Sequence, residues 1–257
     1  MVTEKLKEFL ERKYREYDRP AFIDADPIVV PHRFRKKQDI EIAGFFAAIF
    51  AWGARPTIIR KATELMQLMD NDPHAYCLHF TDSEFKKLTS FKHRTFNTVD
   101  LYYTLEFLRF HYQQHQSLET AFSKWMEADA ENIEDALTGF HRYFFSLEDS
   151  PRRTQKHIAT PARNSSCKRL NMYLRWMVRR DKQGVDFGLW KKIKPSQLVC
   201  PLDVHVLRVA ARFQLLERKK ADWQSALDLT DTLKRFDAGD PVKYDFALFG
   251  LGVIEKF

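Results

Sequence analysis

Two residues in this chain of 257 amino acids have the types and the setting for covalent chemistry. Lys168 opens the run Lys168-Arg169-Leu170-Asn171-Met172-Tyr173-Leu174-Arg175-Trp176, and Asp203 lies in Cys200-Pro201-Leu202-Asp203-Val204-His205-Val206. A lysine amine, when neutral, can attack an electrophilic carbon and form a Schiff base. A carboxylate beside it can move protons or stabilise developing positive charge. Asp203 directly precedes an apolar, helix-forming run, so it reads as an N-cap whose ionised form the helix dipole favours.

Charge is concentrated around the lysine. From Pro151 to Arg180 there are nine basic residues (Arg152, Arg153, Lys156, Arg163, Lys168, Arg169, Arg175, Arg179 and Arg180) and no Asp or Glu. The net charge of +7, less these 9, leaves −2 for the rest of the chain. A basic segment of this kind suggests a polyanionic partner, with its cations on phosphates more often than on bases.

The elements that must position these residues read as nearly all helix. Hydrophobic residues make up 44% of the chain and Phe alone numbers 22, enough for a large core, while only 8 Gly argue against turn-rich sheet. Apolar spacing predicts helices over Thr3–Tyr17, from Ile40 to about Trp52 after an Asp39 cap, and over Thr57–Met69. A start at Asp72-Pro73 and a short helix over Ser83–Leu88 follow. Next come a long helix from Asn97 or Thr98 to about His115, and two more over Ser117–Thr120 and Asn132–Phe145.

The stretch from Glu148 to Ser166 carries no periodicity and reads as a functional loop or a linker. Ser166 then caps a helix to Arg180, with Leu170, Tyr173, Leu174 and Met177 on one stripe. Lys168, Asn171, Met172, Arg175 and Arg179 fall on the opposite side. Val204, Leu207, Val209, Ala210 and Phe213 carry the helix after Asp203, Asp222 caps Trp223–Phe236, and Asp240-Pro241 starts the last helix. Trp52, Phe45 and Phe249 read as core, and the loop Phe91–Asn97, which mixes basic groups with aromatics, as a binding element or packing.

Pro201-Leu202-Asp203-Val204-His205, with Lys168 lying 35 positions upstream (203 less 168), resembles the catalytic segment of the helix-hairpin-helix DNA glycosylase superfamily. The 8-oxoguanine glycosylases, and their archaeal branch in the lysine-to-aspartate spacing, are most similar. The chain also resembles a bacterial family of conserved hypothetical proteins. Asp26-Pro27, Asp39-Ile40-Glu41-Ile42-Ala43-Gly44, Lys168-Arg169-Leu170-Asn171 and Asp240-Pro241-Val242-Lys243-Tyr244-Asp245 carry that resemblance. One departure stands out. The usual hairpin reads Leu-Pro-Gly-Val-Gly before the lysine, whereas here Thr160-Pro161-Ala162-Arg163-Asn164-Ser165-Ser166-Cys167 lacks the glycine pair.

The resemblance implies an all-α, two-lobed HhH-GPD DNA glycosylase-like fold with a degenerate hairpin. One lobe would cross roughly 1–40 and 150–257 around a helical lobe of 41–147, with the site between them. The implied activity is a bifunctional DNA glycosylase and AP lyase that removes an oxidised purine, 8-oxoguanine, through a Schiff base. Lys168 would be the nucleophile and Asp203 its electrostatic or acid–base partner. The implied partner is double-stranded DNA with the damaged base flipped into a pocket.

Arg152, Arg153, Lys156, Arg163, Arg169, Asn171, Arg175, His205 and Lys243 are the candidate DNA-binding residues. Arg163, Arg169 and Arg175 would also supply a cationic neighbourhood for the amine, and His205 could instead bond within the core. A non-catalytic nucleic-acid-binding module on the same frame is the alternative, and a helical domain whose basic loop meets an acidic protein is a third option. The sequence holds no phosphate-cradling glycine loop, no zinc-spaced Cys/His set and no iron–sulfur cysteine cluster, so no metal and no cofactor are expected. Three cysteines without framework spacing and a polar first segment lead us to expect a reduced, cytoplasmic monomer without a membrane span.

Overall fold

The computed structural model describes residues 3–257. Along the chain come α1 (Glu4–Tyr17), α2 (Pro20–Ile23), α3 (Lys37–Ile49), α4 (Arg55–Leu68), α5 (Pro73–His79), α6 (Asp82–Phe85), α7 (Thr98–Tyr112) and α8 (Glu119–Ser123). They are followed by α9 (Glu134–Phe144), α10 (Lys168–Val178), α11 (Val204–Arg212), α12 (Trp223–Lys234) and α13 (Tyr244–Phe249). The protein is mostly helical. Among the described residues there is no strand, and isolated bridges such as Arg180 with Phe187 are the only β pairing.

The helix starts follow local chemistry. Asn97 caps α7 in a capping box with Asp100, Asp72 caps α5, Asp203 caps α11 and Asp222 caps α12. Three predicted caps do something else. Asp39 lies inside the first turn of α3, which begins two residues earlier, and its carboxylate accepts the His74 backbone N–H at 2.9 Å. Ser166 makes no cap to α10; the N-cap position is Cys167, in a left-handed conformation. Asp240 precedes a 3₁₀ turn, Pro241–Lys243, and its side chain is turned to Arg179 instead of the helix start.

The chain divides into two compact units. The first comprises the described residues of Met1–Ile23, with Met126–Thr138 and Ala159–Phe257; the second comprises Asp24–Trp125 and Gly139–Ile158. In the first, α13 is the central element. It packs against α1 and α11, and every side chain from Tyr244 to Leu248 is buried.

In the second unit α3 is central, buried from Asp39 through Ile49 and packed on α4 and α5. It carries Glu41, fully buried, whose carboxylate is satisfied by Tyr112 Oη at 2.9 Å, the Leu118 N–H at 3.1 Å and the Ser117 hydroxyl. That satisfaction is what lets a charge sit inside an apolar helix.

Of the segment Glu148–Ser166, expected to be a functional loop or a linker, the part up to Ile158 is built into this unit and forms a 3₁₀ turn, Arg152–Lys156. Asp100, with no exposed surface, accepts the Thr154 hydroxyl at 2.8 Å and pairs with Arg153 at 3.0 Å, fastening the turn to the start of α7.

Candidate functional site

Lys168 is the first residue of α10 and Asp203 is the N-cap of α11. Both belong to the first unit. Ser166 sets their proximity. Its hydroxyl donates to the Leu202 carbonyl at 3.0 Å, while its own carbonyl accepts the Asn171 side-chain amide at 3.0 Å. One residue therefore ties the start of α10 to the segment that leads into α11. Asn164 and Cys167 both adopt left-handed backbone, at φ 54° and 51°, in the stretch that lacks the glycine pair. Asn tolerates that region, while Cys167 occupies it although it carries a Cβ.

The two oxygens of Asp203 divide their roles. Oδ1 accepts the backbone N–H groups of His205 at 2.9 Å and Val206 at 3.0 Å, and so caps α11. Oδ2 lies 3.9 Å from Lys168 Nζ. The amine also lies 3.6 Å from Met172 Sδ, one turn along α10. The side chains are 21% and 26% exposed, respectively. Such a partly exposed pair adds at most about 1 kcal/mol to stability, so folding energy gives little reason for this arrangement.

Beneath the pair lies a set of buried charges. Arg175, two turns after Lys168, places Nη1 2.5 Å from Asp245 Oδ2 and Nε 3.3 Å from Asp186 Oδ1, with its guanidinium over the Phe246 ring at 4.2 Å. Arg179, 2% exposed, bonds Asp240 at 2.7 Å, Asp186 at 3.0 Å and Tyr14 Oη at 2.6 Å, and lies within 3.5 Å of Asp181 and Asp18.

Burial pushes the Asp245 carboxyl up to about 6, against the opposing pull of Arg175 and Lys168, with Asp203 adding to the rise. Burial likewise lifts Asp186 to about 6, opposed by Arg175 and Arg179. Burial also raises the Cys200 thiol, which feels the charge of Asp245.

Two of the predicted DNA contacts, Arg175 and Asn171, are corrected by this geometry, and two more, Lys243 and Arg153, already hold ion pairs. Arg175 and Asn171 are buried, 3% and 1% exposed, and cannot reach a phosphate. Lys243 is held by Asp237 at 2.7 Å and Glu11 at 2.8 Å. Arg153 is committed to Asp100 and to the Thr95 carbonyl. The cationic neighbourhood expected from Arg175 is therefore neutralised by Asp245.

Arg163 and His205 are exposed in the first unit, as are Arg152 and Lys156 in the second; Arg169 is half-buried, and burial pushes its guanidinium down. Val204, expected on the apolar face of α11, is 67% exposed. Trp52, expected in the core, is 46% exposed with Arg94 stacked over its ring at 4.2 Å. Phe45 is buried and Phe249 half-buried.

Sequence reasoning missed the Ser166–Leu202 link and the role of Asp245. The second had a signal: an aspartate within the otherwise apolar run Tyr244–Phe249 must meet a cation or stay neutral.

Fold and site together define a mostly helical protein in which a partly exposed Lys–Asp pair joins two helix starts over a floor of buried ion pairs. The chain belongs to the family described as "Protein of unknown function (DUF2400)", which matches residues 26–254. No curated protein and no solved structure matches it. Among the described residues, no cluster of His, Cys, Asp and Glu could hold a metal ion, and no helix is long and apolar enough to cross a membrane.

Proposed function

We propose that this protein is a DNA glycosylase and AP lyase that removes an oxidised purine, 8-oxoguanine, on a helix-hairpin-helix glycosylase-like fold. The observation that carries the reading is the approach of Lys168 Nζ to 3.9 Å from Asp203 Oδ2, with both groups partly open to solvent. A duplex base is out of reach until its nucleotide is flipped out of the stack.

Lys168 then acts as a neutral amine, its proton passed to water or to Asp203. Nζ forms a bond to C1′, and the glycosidic bond breaks with its electron pair leaving on the base, which takes up a proton. Loss of the second amine proton and opening of the C1′–O4′ bond, with O4′ protonated, gives the Schiff base. Removal of a C2′ proton then expels the 3′-phosphate. The second oxygen of Asp203, which takes no part in the α11 cap, faces the sugar and stabilises the positive charge that develops as the base departs.

The test is borohydride trapping on duplexes that carry 8-oxoguanine or an abasic site. The wild type should form a covalent adduct and Lys168→Gln none. If the wild type forms no adduct on these substrates, the lyase chemistry is wrong. Salt-sensitive duplex binding without an adduct, only slightly weakened by Lys168→Gln, would then favour the non-catalytic nucleic-acid-binding module.

A further inference from the structure

In the second unit, α7 presents Val99 and Tyr102, three residues apart and hence on one face, to solvent. They are 47% and 41% exposed. Five large hydrophobic side chains are this exposed among the described residues, and these two share one groove of about 520 Å³. Phe85 stands edge-on to the Tyr102 ring with centroids 4.8 Å apart, and Leu147 and Pro151 complete the apolar lining. The volume falls in the range of about 300–1,000 Å³ typical of ligand pockets.

The groove's charge runs against that of the whole chain. Its charged lining residues are Glu106, Glu148 and Asp149, with no Lys or Arg among them, although the protein carries a net charge of +7. Glu106 already holds Arg109 at 3.0 Å. Glu148 and Asp149 are exposed and make no ion pair among the described residues. An apolar trough bounded by unpaired carboxylates repels phosphate and attracts cations that carry apolar side chains.

We propose that this groove docks a basic amphipathic segment of a partner protein, its apolar side chains on Val99, Tyr102 and Phe85 and its Lys or Arg residues on Glu148 and Asp149. This is the helix-in-groove mode of peptide recognition, with apolar anchors for affinity and charge for orientation. It rests on residues remote in sequence from Lys168 and Asp203, and it stands whether or not these two act on DNA.

The experiment uses the full chain and two dye-labelled synthetic helical peptides. One has Leu at positions i, i+3, i+4 and i+7 with Lys and Arg elsewhere; the other has every Lys and Arg replaced by Glu. Fluorescence anisotropy should show saturable binding of the basic peptide, weakened by added salt, and none of the acidic one. Glu148→Lys with Asp149→Lys should weaken binding at least tenfold, and Tyr102→Ala should do the same. All three positions have substantial solvent exposure, so these variants keep the fold. Three outcomes would overturn the proposal: no binding of the basic peptide, equal binding of both peptides, or affinity unchanged in both variants. A concentration-dependent dimer in sedimentation, dissolved by Tyr102→Ala, would also overturn it by making a second copy the occupant.

Discussion

Replacing Arg175 with Met keeps most of the side-chain volume over Phe246 and removes the charge shared by Asp245 and Asp186. The two carboxylates then fare differently. Asp186 retains Arg179 at 3.0 Å, whereas Asp245, 5% exposed, loses the guanidinium 2.5 Å away and keeps the opposing pull of Lys168 alone of the two cations that lower it. Breaking a buried ion pair from one side costs about 3–5 kcal/mol. That is a large part of the ~5–15 kcal/mol that holds a domain folded.

The cost depends on pH with a definite sign. Asp245 titrates in the folded protein at about 6, above the ordinary carboxylate value, and loss of the opposing guanidinium raises it further. A group raised in this way contributes stability that is fully present below its unfolded value. That contribution is lost as pH rises through the folded value. The variant therefore escapes part of the penalty at pH 5 by keeping Asp245 protonated, with a loss nearer ~2 kcal/mol from unmade hydrogen bonds. It carries the full ~3–5 kcal/mol at pH 8.

Urea unfolding, followed through the buried Trp176 and Trp190 of the same unit, measures both values. Arg175→Met combined with Asp245→Leu should recover most of the loss, because an apolar pair replaces the orphaned charge. A single variant within about 1 kcal/mol of the wild type at pH 8, or a loss equal at both pH values, would refute the reasoning.

Asp203 separates structure from chemistry. Asp203→Asn keeps an N-cap and should leave the urea midpoint nearly unchanged while slowing adduct formation by about 10²-fold or more, whereas Asp203→Ala should also cost about 1 kcal/mol of stability. Equal trapping rates in wild type and Asp203→Asn would remove the carboxylate from the chemistry. Gly188→Ala forces a Cβ into left-handed backbone at φ 57° and to 2.5 Å from Arg180 Cβ and 3.0 Å from Arg180 Cα, so a loss of ~2 kcal/mol or more is expected in the same urea assay. An unchanged midpoint would contradict that close approach.

What the sequence made legible was what local chemistry decides. Asn97, Asp72, Asp203 and Asp222 each precede a periodic apolar run, and each caps a helix. The wheel of α10 correctly separated Leu170, Tyr173, Leu174 and Met177 from the polar side. It could not say that Asn171, Met172, Arg175 and Arg179 on the other side are also buried, because the residues that meet the two arginines lie far along the chain. Asp245 is 70 positions from Arg175 and Asp240 is 61 from Arg179. The acid-free stretch from Pro151 to Arg180 is a property of the chain in one dimension, and in the fold Asp186, Asp245, Asp240 and Asp18 close over two of its arginines. Asp39, Ser166 and Asp240 show the same limit in reverse: good cap residues were drawn to partners that only tertiary structure supplies.

This pattern bears on why so many charges lie under the candidate site. Buried ion pairs are poor stabilisers, since apolar residues of similar volume often do as well or better. Their directional bonds, however, fix geometry in a way that apolar packing does not. Arg175 projects from α10 and Arg179 directly follows it, and their partners sit on α13 and the residues just before it, just after α1, and in the loop after α10. Three separate pieces of chain are thereby referred to one helix, whose first residue is Lys168. Ser166 adds the reference to Leu202, next to Asp203. An isolated surface lysine needs no such frame, whereas an amine that must meet one carbon beside one carboxylate needs its helix fixed to within a fraction of an ångström. On the proposed lyase reading, the buried charges beneath α10 are the support that fixes where the amine of Lys168 stands relative to Asp203.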